Sequence, residues 1–246
     1  MNLSVRTGLA AVVFDVDGTL VDSERDGHRV AFNFAFEEAG LSDRWGVALY
    51  GRLLSVTGGR RRLARYLLAC GRSASEAESL ATRLHAKKTE IMRDLVMAGV
   101  VPPRPGAKSL LDDLAVSGVD LYVATTGTRS WVEPLLDRCF GLSRFAAVVT
   151  GTEIATLKPH PAVYREVLRL SEHSAQKCVA VEDSASGVAA AVGAGLRCVA
   201  VTNDYTREHD LSAATFVGDG LDDPRVVQWF LRRAGVPTHP QSQPAR

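Results

Sequence analysis

The stretch Phe14-Asp15-Val16-Asp17-Gly18-Thr19-Leu20-Val21-Asp22 sets three carboxylates within eight residues, directly behind the apolar run from Leu9 to Phe14. Acidic loops are usually solvated turns, and Asp17-Gly18 is an ordinary turn signal. These acids, however, follow a core strand at the end where parallel α/β sheets bind their ligands. Two carboxylates about 4 Å apart repel by roughly 4 kcal/mol at an effective dielectric near 20, so a cation is required beside them. Mg²⁺ suits the place, being a hard ion that takes oxygen ligands from one or two carboxylates together with a substrate phosphate. The chemistry that uses such a pair is phosphoryl transfer. Asp15 would attack phosphorus to give an aspartyl phosphate, and Asp17 would protonate the leaving oxygen and then activate water. An anion attacking a phosphate dianion needs further positive charge, which the rest of the chain must supply.

The elements that would position these groups are legible as periodic runs. Apolar segments at residues 10–14, 119–124, 146–149, 178–181 and 198–201 read as strands, and helix-like segments at 107–117, 130–138, 162–170 and 187–194 separate them. Strands this apolar, alternating with helices, predict a parallel sheet covered on both faces. One long interruption, residues 23–101, is helical in pattern. Within it Ser75-Glu76-Ala77-Glu78 reads as a capping box, followed by Leu80, Leu84, Ile91 and Leu95 on one side and Gly99 as a stop. Phe32, Phe34 and Phe36 alternate as in a strand, but their Ala and Glu neighbours and the terminal Gly40 predict a helix. Pro102, Pro103, Pro105 and Gly106 mark the return to the sheet. The predicted division is therefore a core of residues 1–22 plus 102–234, a helical insert of residues 23–101 lying over the strand ends, and a disordered tail from 235 to 246.

Composition sets the bounds. A chain of 246 residues with a hydrophobic share of 46% is an ordinary globular protein of one large or two small domains. Lys and Arg number 29 against 28 acids, so no long-range field favours nucleic acid or a membrane surface. Cys70, Cys139, Cys178 and Cys198 lie far apart, with no metal-like spacing, and are expected as reduced thiols of a cytoplasmic protein. No apolar run reaches the length of a membrane span, and the first strand begins too early to leave room for a signal peptide.

Further along, Thr125 and Thr126 end the second strand, Lys158 stands in Leu157-Lys158-Pro159, and Glu182-Asp183-Ser184 follows the fourth strand. Each alone has an ordinary explanation. The threonines could be β-branched strand residues, Lys158 a surface lysine, and Glu182 and Asp183 helix caps with Ser184 and Ser186 as rivals. Together, in this order and at strand ends, they resemble the haloacid-dehalogenase superfamily, whose DxDGT motif is matched by Asp15 to Thr19. The resemblance implies an α/β Rossmann-like core with a helical C1 cap inserted after the first strand. It also implies roles: Asp15 as nucleophile, Asp17 as acid/base, Thr125 and Lys158 holding the phosphoryl group, and Asp15, Asp17, Glu182 and Asp183 around Mg²⁺.

Within the insert, Ser23-Glu24-Arg25-Asp26-Gly27-His28-Arg29, Thr57-Gly58-Gly59-Arg60-Arg61-Arg62 and Leu84-His85-Ala86-Lys87-Lys88-Thr89-Glu90 resemble the β-phosphoglucomutase-like branch, and within it the CbbY-type sugar bisphosphate phosphatases. This implies that His28 meets Asp17, and that Arg60, Arg62, Lys88 and Thr126 bind substrate. The chain carries Arg60-Arg61-Arg62 where that group usually has Lys-x-Arg spacing, and Gly127 where it commonly has a hydroxyl residue. The expected activity is Mg²⁺-dependent hydrolysis of a small sugar phosphate or bisphosphate, with xylulose-1,5-bisphosphate as the named candidate, by a monomer or weak dimer. A phosphomutase, a phosphoglycolate-type phosphatase and a sugar-phosphate-binding regulatory protein stand as alternatives.

Overall fold

The computed structural model describes residues 8–235. Its strands are β1 (Ala11–Phe14), β2 (Asp120–Ala124), β3 (Ala147–Val149), β4 (Cys178–Glu182), β5 (Arg197–Val201) and β6 (Phe216–Gly218). They form one sheet in the order β3-β2-β1-β4-β5-β6, with every neighbouring pair parallel. The helices are α1 (Arg29–Glu38), α2 (Val47–Leu53), α3 (Gly59–Ala69), α4 (Ala74–Met97), α5 (Ala107–Val116), α6 (Arg129–Phe140), α7 (Ala162–Ser171), α8 (Ala185–Gly193) and α9 (Pro224–Ala234). This is the expected α/β Rossmann-like arrangement.

Side chains of β1 alternate between two cores, as the pleat dictates. Val12 and Phe14 join a cluster with α5, α6 and α9, while Ala11 and Val13 join one with α7 and α8. Each of the five strands read from the sequence is present to within one residue. The sixth, β6, escaped because it spans only three residues with Val217 exposed at the sheet edge.

Between β1 and β2 the chain is helical from Glu24 to Met97, beginning with a π-helical turn at Glu24–His28. Phe32 and Phe36 are buried one turn apart on α1, and Phe34 is exposed on the far side, so the helical reading of that segment holds. With Trp45, Tyr50, Leu63 and Leu67 they build a third, separate core. The long helix α4 starts earlier than expected. Its capping box is Ser73 with Glu76, two residues before the predicted Ser75 and Glu78, and Glu78 instead pairs with Arg60. Ala77, Ala81, Leu84, Lys88, Met92 and Val96 form the buried line of α4, with Leu80, Ile91 and Leu95 half-buried beside it. Met92 and Val96 pack in the sheet cluster, so the last turns of α4 belong to the sheet's packing and the first turns to the insert's. Ser73→Ala should cost about 1 kcal/mol in urea unfolding without altering turnover, because the cap is exposed and lies outside the site.

Among the described residues no helix is long and apolar enough to cross a membrane. The tail read as disordered lies, from residue 236 onward, outside the described residues.

Candidate active site

Register brings the chemistry together. Phe14 pairs with Val123 of β2 and Val181 of β4, so the next residues, Asp15, Ala124 and Glu182, end neighbouring strands at one level. The Asp15 N–H donates to Val181 O at 2.9 Å, which fixes the start of the acidic loop. Into this level reaches Lys158, only 4% exposed and no surface lysine. Its ammonium donates to Asp15 Oδ1 at 2.6 Å, Glu182 Oε1 at 2.6 Å and Ala124 O at 2.9 Å, so all three of its N–H bonds are used. Tyr164 of α7 donates its hydroxyl to the same Glu182 oxygen at 2.5 Å. Gly187 makes room for this pair, since a Cβ there would collide with the Glu182 carboxylate. Burial opposes the Lys158 charge, but Asp15 and Glu182 outweigh it and hold the ammonium above its ordinary range.

One ammonium does not balance the acids around it. Asp15, Glu182 and Asp183 are buried and each offers an oxygen within 4.8 Å of the others. Burial pushes the Asp15 carboxyl up to about 8, although Lys158 beside it pulls the other way. Burial, followed by repulsion from Asp15 and Glu182, raises Asp183 well above the usual carboxylate range. A dry set of oxygens with charge left uncompensated is the environment a hard divalent cation relieves, so these residues fit Mg²⁺. Ser184, not the acids, caps α8, accepting from Gly187 N at 3.1 Å; Glu182 and Asp183 therefore stay available.

Asp17, expected in the metal set as well, is not part of that acidic group. Its carboxylate turns toward the insert, where Ser23 donates to Oδ1 and His28 Nε2 lies 2.8 Å from the same atom. Lys88 Nζ lies 2.7 Å from His28 Nδ1. An ammonium can only donate, so Nδ1 accepts and Nε2–H points at Asp17. Burial works against the Asp17 charge, yet His28, Ser23 and Lys88 outweigh it and hold the carboxyl below its ordinary value. Burial lowers Lys88 to about 8 despite the attraction of Asp17 and Glu24.

Between insert and sheet lies a cavity of about 550 Å³, lined on the insert side by Arg60, Arg61, Arg62, His85 and Lys88. A smaller one of about 100 Å³ holds Asp15, Lys158 and Asp183; both cavities share Asp17, Arg62 and Thr126. Arg62 is buried, fixed by donation to Leu53 O at 3.1 Å and Tyr50 Oη at 3.2 Å. Arg60 is exposed and tied to Glu78. Thr125 is buried and accepts from Gly127 N at 3.0 Å, which leaves its hydroxyl hydrogen free to donate; of these two threonines it is Thr126 that lines both cavities.

The sequence reading passed over Ser23, Tyr164, His85 and Asn203. Ser23 opens the motif that also supplies His28, and Tyr164 carries no signal beyond lying on a helix. His85 stands in the motif that also supplies Lys88, and burial together with Lys88, His28 and Arg60 lowers it to about 4, so it lines the cavity as neutral imidazole. Asn203, two residues past β5, donates to Asp183 Oδ2 at 2.7 Å.

Acids, lysine and threonine gather at the carboxyl-end side of a Rossmann-like parallel sheet, covered by a helical insert. A haloacid dehalogenase-like hydrolase model matches residues 9–195, and the chain belongs to that family. It is 39% identical to Protein CbbY of Rhodobacter capsulatus over 209 residues, 84% of this chain and 91% of the relative. It is 35% identical to a CBBY-like protein of Arabidopsis thaliana over 240 residues, 94% of this chain and 75% of the relative. A solved mutant of CbbY from Rhodobacter sphaeroides, in complex with xylulose-(1,5)bisphosphate, superposes with a TM-score of 0.79 at 35% identity, covering 87% of this chain and 95% of that one.

Proposed function

We propose that this chain, a phosphatase of the haloacid dehalogenase-like family, removes phosphate from a small ketose bisphosphate such as xylulose-1,5-bisphosphate. The observation that carries the reading is the pair of adjoining cavities: a small one around Asp15 and Lys158, and a larger one whose far wall is basic. The first accommodates the reacting phosphoryl group. The second has room for a sugar, with arginine and lysine placed for a further phosphate. The complex of the related CbbY with xylulose bisphosphate supports the same assignment.

In the proposed reaction an Asp15 oxygen bonds to phosphorus as the bond to the sugar oxygen breaks. The sugar oxygen keeps that electron pair and takes a proton from Asp17. Water then attacks the aspartyl phosphate, gives its proton to the Asp17 carboxylate, and releases phosphate and free Asp15. The ionised Asp17 held by His28 and Ser23 is the form needed for the water step. Asp15, Asp183 and Glu182 would hold Mg²⁺, which would supply positive charge against the phosphate oxygens. Lys158 and Thr125 would contribute to the same neutralisation from the protein. Closure by the insert, which acts as a cap in this reading, excludes water and strengthens these interactions.

Phosphate release from pentulose bisphosphates, hexose phosphates and phosphoglycolate, followed with and without EDTA, tests the proposal. Fastest release from a ketose bisphosphate, abolished by EDTA and restored by Mg²⁺, is the expected result. Transfer to give an isomeric sugar phosphate, with little free phosphate, would instead assign a mutase. The two arginines should separate. Arg62→Ala is expected to raise KM for a bisphosphate about 10- to 100-fold, since charge-assisted hydrogen bonds are lost. Arg60→Ala should raise it less than about fivefold, its guanidinium being engaged by Glu78 at the surface. Equal effects on a monophosphate would remove the second-phosphate assignment.

A further inference from the structure

The turn after β5 is tied both to the acidic site and to the helical insert. The Asn203 side chain has its oxygen occupied by the N–H groups of Tyr205 at 2.9 Å and Thr206 at 3.1 Å. That fixes the amide, and its nitrogen must face the other way, where it donates to Asp183 Oδ2 at 2.7 Å and Gly18 O at 3.2 Å. Gly18 follows Asp17 and has φ +77, and a Cβ there would strike both Asp183 and Asn203. The close approach of these three residues therefore depends on the glycine. Arg104, in the segment returning from the insert, reinforces the junction by donating to Gly18 O and, at 2.6 Å, to Thr202 O.

Two residues beyond Asn203, the Tyr205 ring leaves the sheet domain's packing and joins the insert's. It lies edge-on to Tyr50 with centroids 6.0 Å apart and presses on the backbone of Gly51. Its hydroxyl is buried without a partner among the described residues, so the contact is made by the ring. Asp204 between them pairs with Arg25 of the insert at 3.6 Å. Tyr50 in turn receives Arg62, which lines the substrate cavity.

We infer that Asn203 is a positioning residue that holds Asp183 against the Asp15–Gly18 loop, and that Tyr205 makes this hold depend on the insert being seated. The inference rests on the reading of Asp15, Glu182 and Asp183 as a Mg²⁺ site. A carboxylate whose free oxygen must meet a cation gains affinity when its other oxygen is fixed by a donor that is itself immobile. The coupling runs through contiguous contacts, from Arg62 through Tyr50 and Tyr205 to Asn203 and Asp183.

The test is the midpoint of a Mg²⁺ titration of the full chain without substrate, followed by calorimetry, with the melting temperature recorded with and without the ion. Asn203→Ala should raise this midpoint about 10- to 100-fold, the usual cost of losing a residue that orients a metal ligand. Tyr205→Ala should raise it several-fold, and Tyr205→Phe should keep the parent midpoint and melt no lower, because the hydroxyl it loses has no partner. An Asn203→Ala protein that melts lower but keeps the parent midpoint would overturn the positioning role. A Tyr205→Ala protein with an unchanged midpoint would overturn the coupling, even if Asn203→Ala failed to fold. A parent protein whose melting ignores Mg²⁺ would remove the metal site itself, and this inference with it.

Discussion

Asp15→Asn is expected to lower kcat by roughly four to six orders of magnitude, as loss of a nucleophile that acts with a general acid/base does elsewhere. An amide oxygen bonded to Lys158 keeps the geometry but is a far weaker nucleophile toward phosphorus. The same change removes one of three buried carboxylates around a single ammonium, relieving repulsion. The variant should therefore melt at or above the parent temperature in the absence of divalent cation. Inactivity with retained or increased stability assigns Asp15 to chemistry and removes the alternative of a sugar-phosphate-binding regulatory protein, which needs no nucleophile. Turnover within tenfold of the parent would sink both the aspartyl-phosphate route and the reading of the whole site.

Lys158→Met is expected to damage both activity and folding. It leaves Asp15 and Glu182 buried with no opposite charge at their strand ends, and breaking such a pair from one side typically costs about 3–5 kcal/mol. Phosphate release should fall about a hundred- to a thousandfold, since charge-stabilising groups preorganised in a dry site carry effects of that order. The double substitution Lys158→Met with Glu182→Gln separates the two effects. With one acid neutralised and Tyr164 still able to donate to the remaining oxygen, urea unfolding should recover most of the lost stability. Activity should stay lost, because no ammonium remains to meet the phosphoryl group. Recovery of turnover along with stability would mean that Lys158 serves the fold alone.

Part of the fold is legible in local pattern. Alternating apolar runs with helical segments between them mark β1 to β5, because β1, β2, β4 and β5 bury both faces and even the half-buried edge strand β3 is wholly apolar. Asp15, Glu182 and Asp183 stand where such strands end, whereas Lys158 lies in the loop beyond β3 and reaches them from there. Reading failed where two local solutions were equally good. Both Ser73-Ala74-Ser75-Glu76 and Ser75-Glu76-Ala77-Glu78 can cap a helix; the structure uses the first, and Glu78 of the second is taken by Arg60. Asp17 and Glu182 are alike as carboxylates, yet one is drawn to Ser23 and His28 of the insert and the other to Lys158 and Tyr164.

The sequence by itself thus determined five of the six strands, the helical pattern after the first of them and the acidic loop, since these follow from residue type and period over short stretches. Tertiary structure decided the partners. Lys158 reaches Asp15 across 143 residues, and Asn203 reaches Gly18 across 185. Which arginine is buried, which threonine faces the cavity and which amide steadies Asp183 are settled by competition among distant groups for one enclosed volume, and no local pattern of the chain encodes the outcome of that competition.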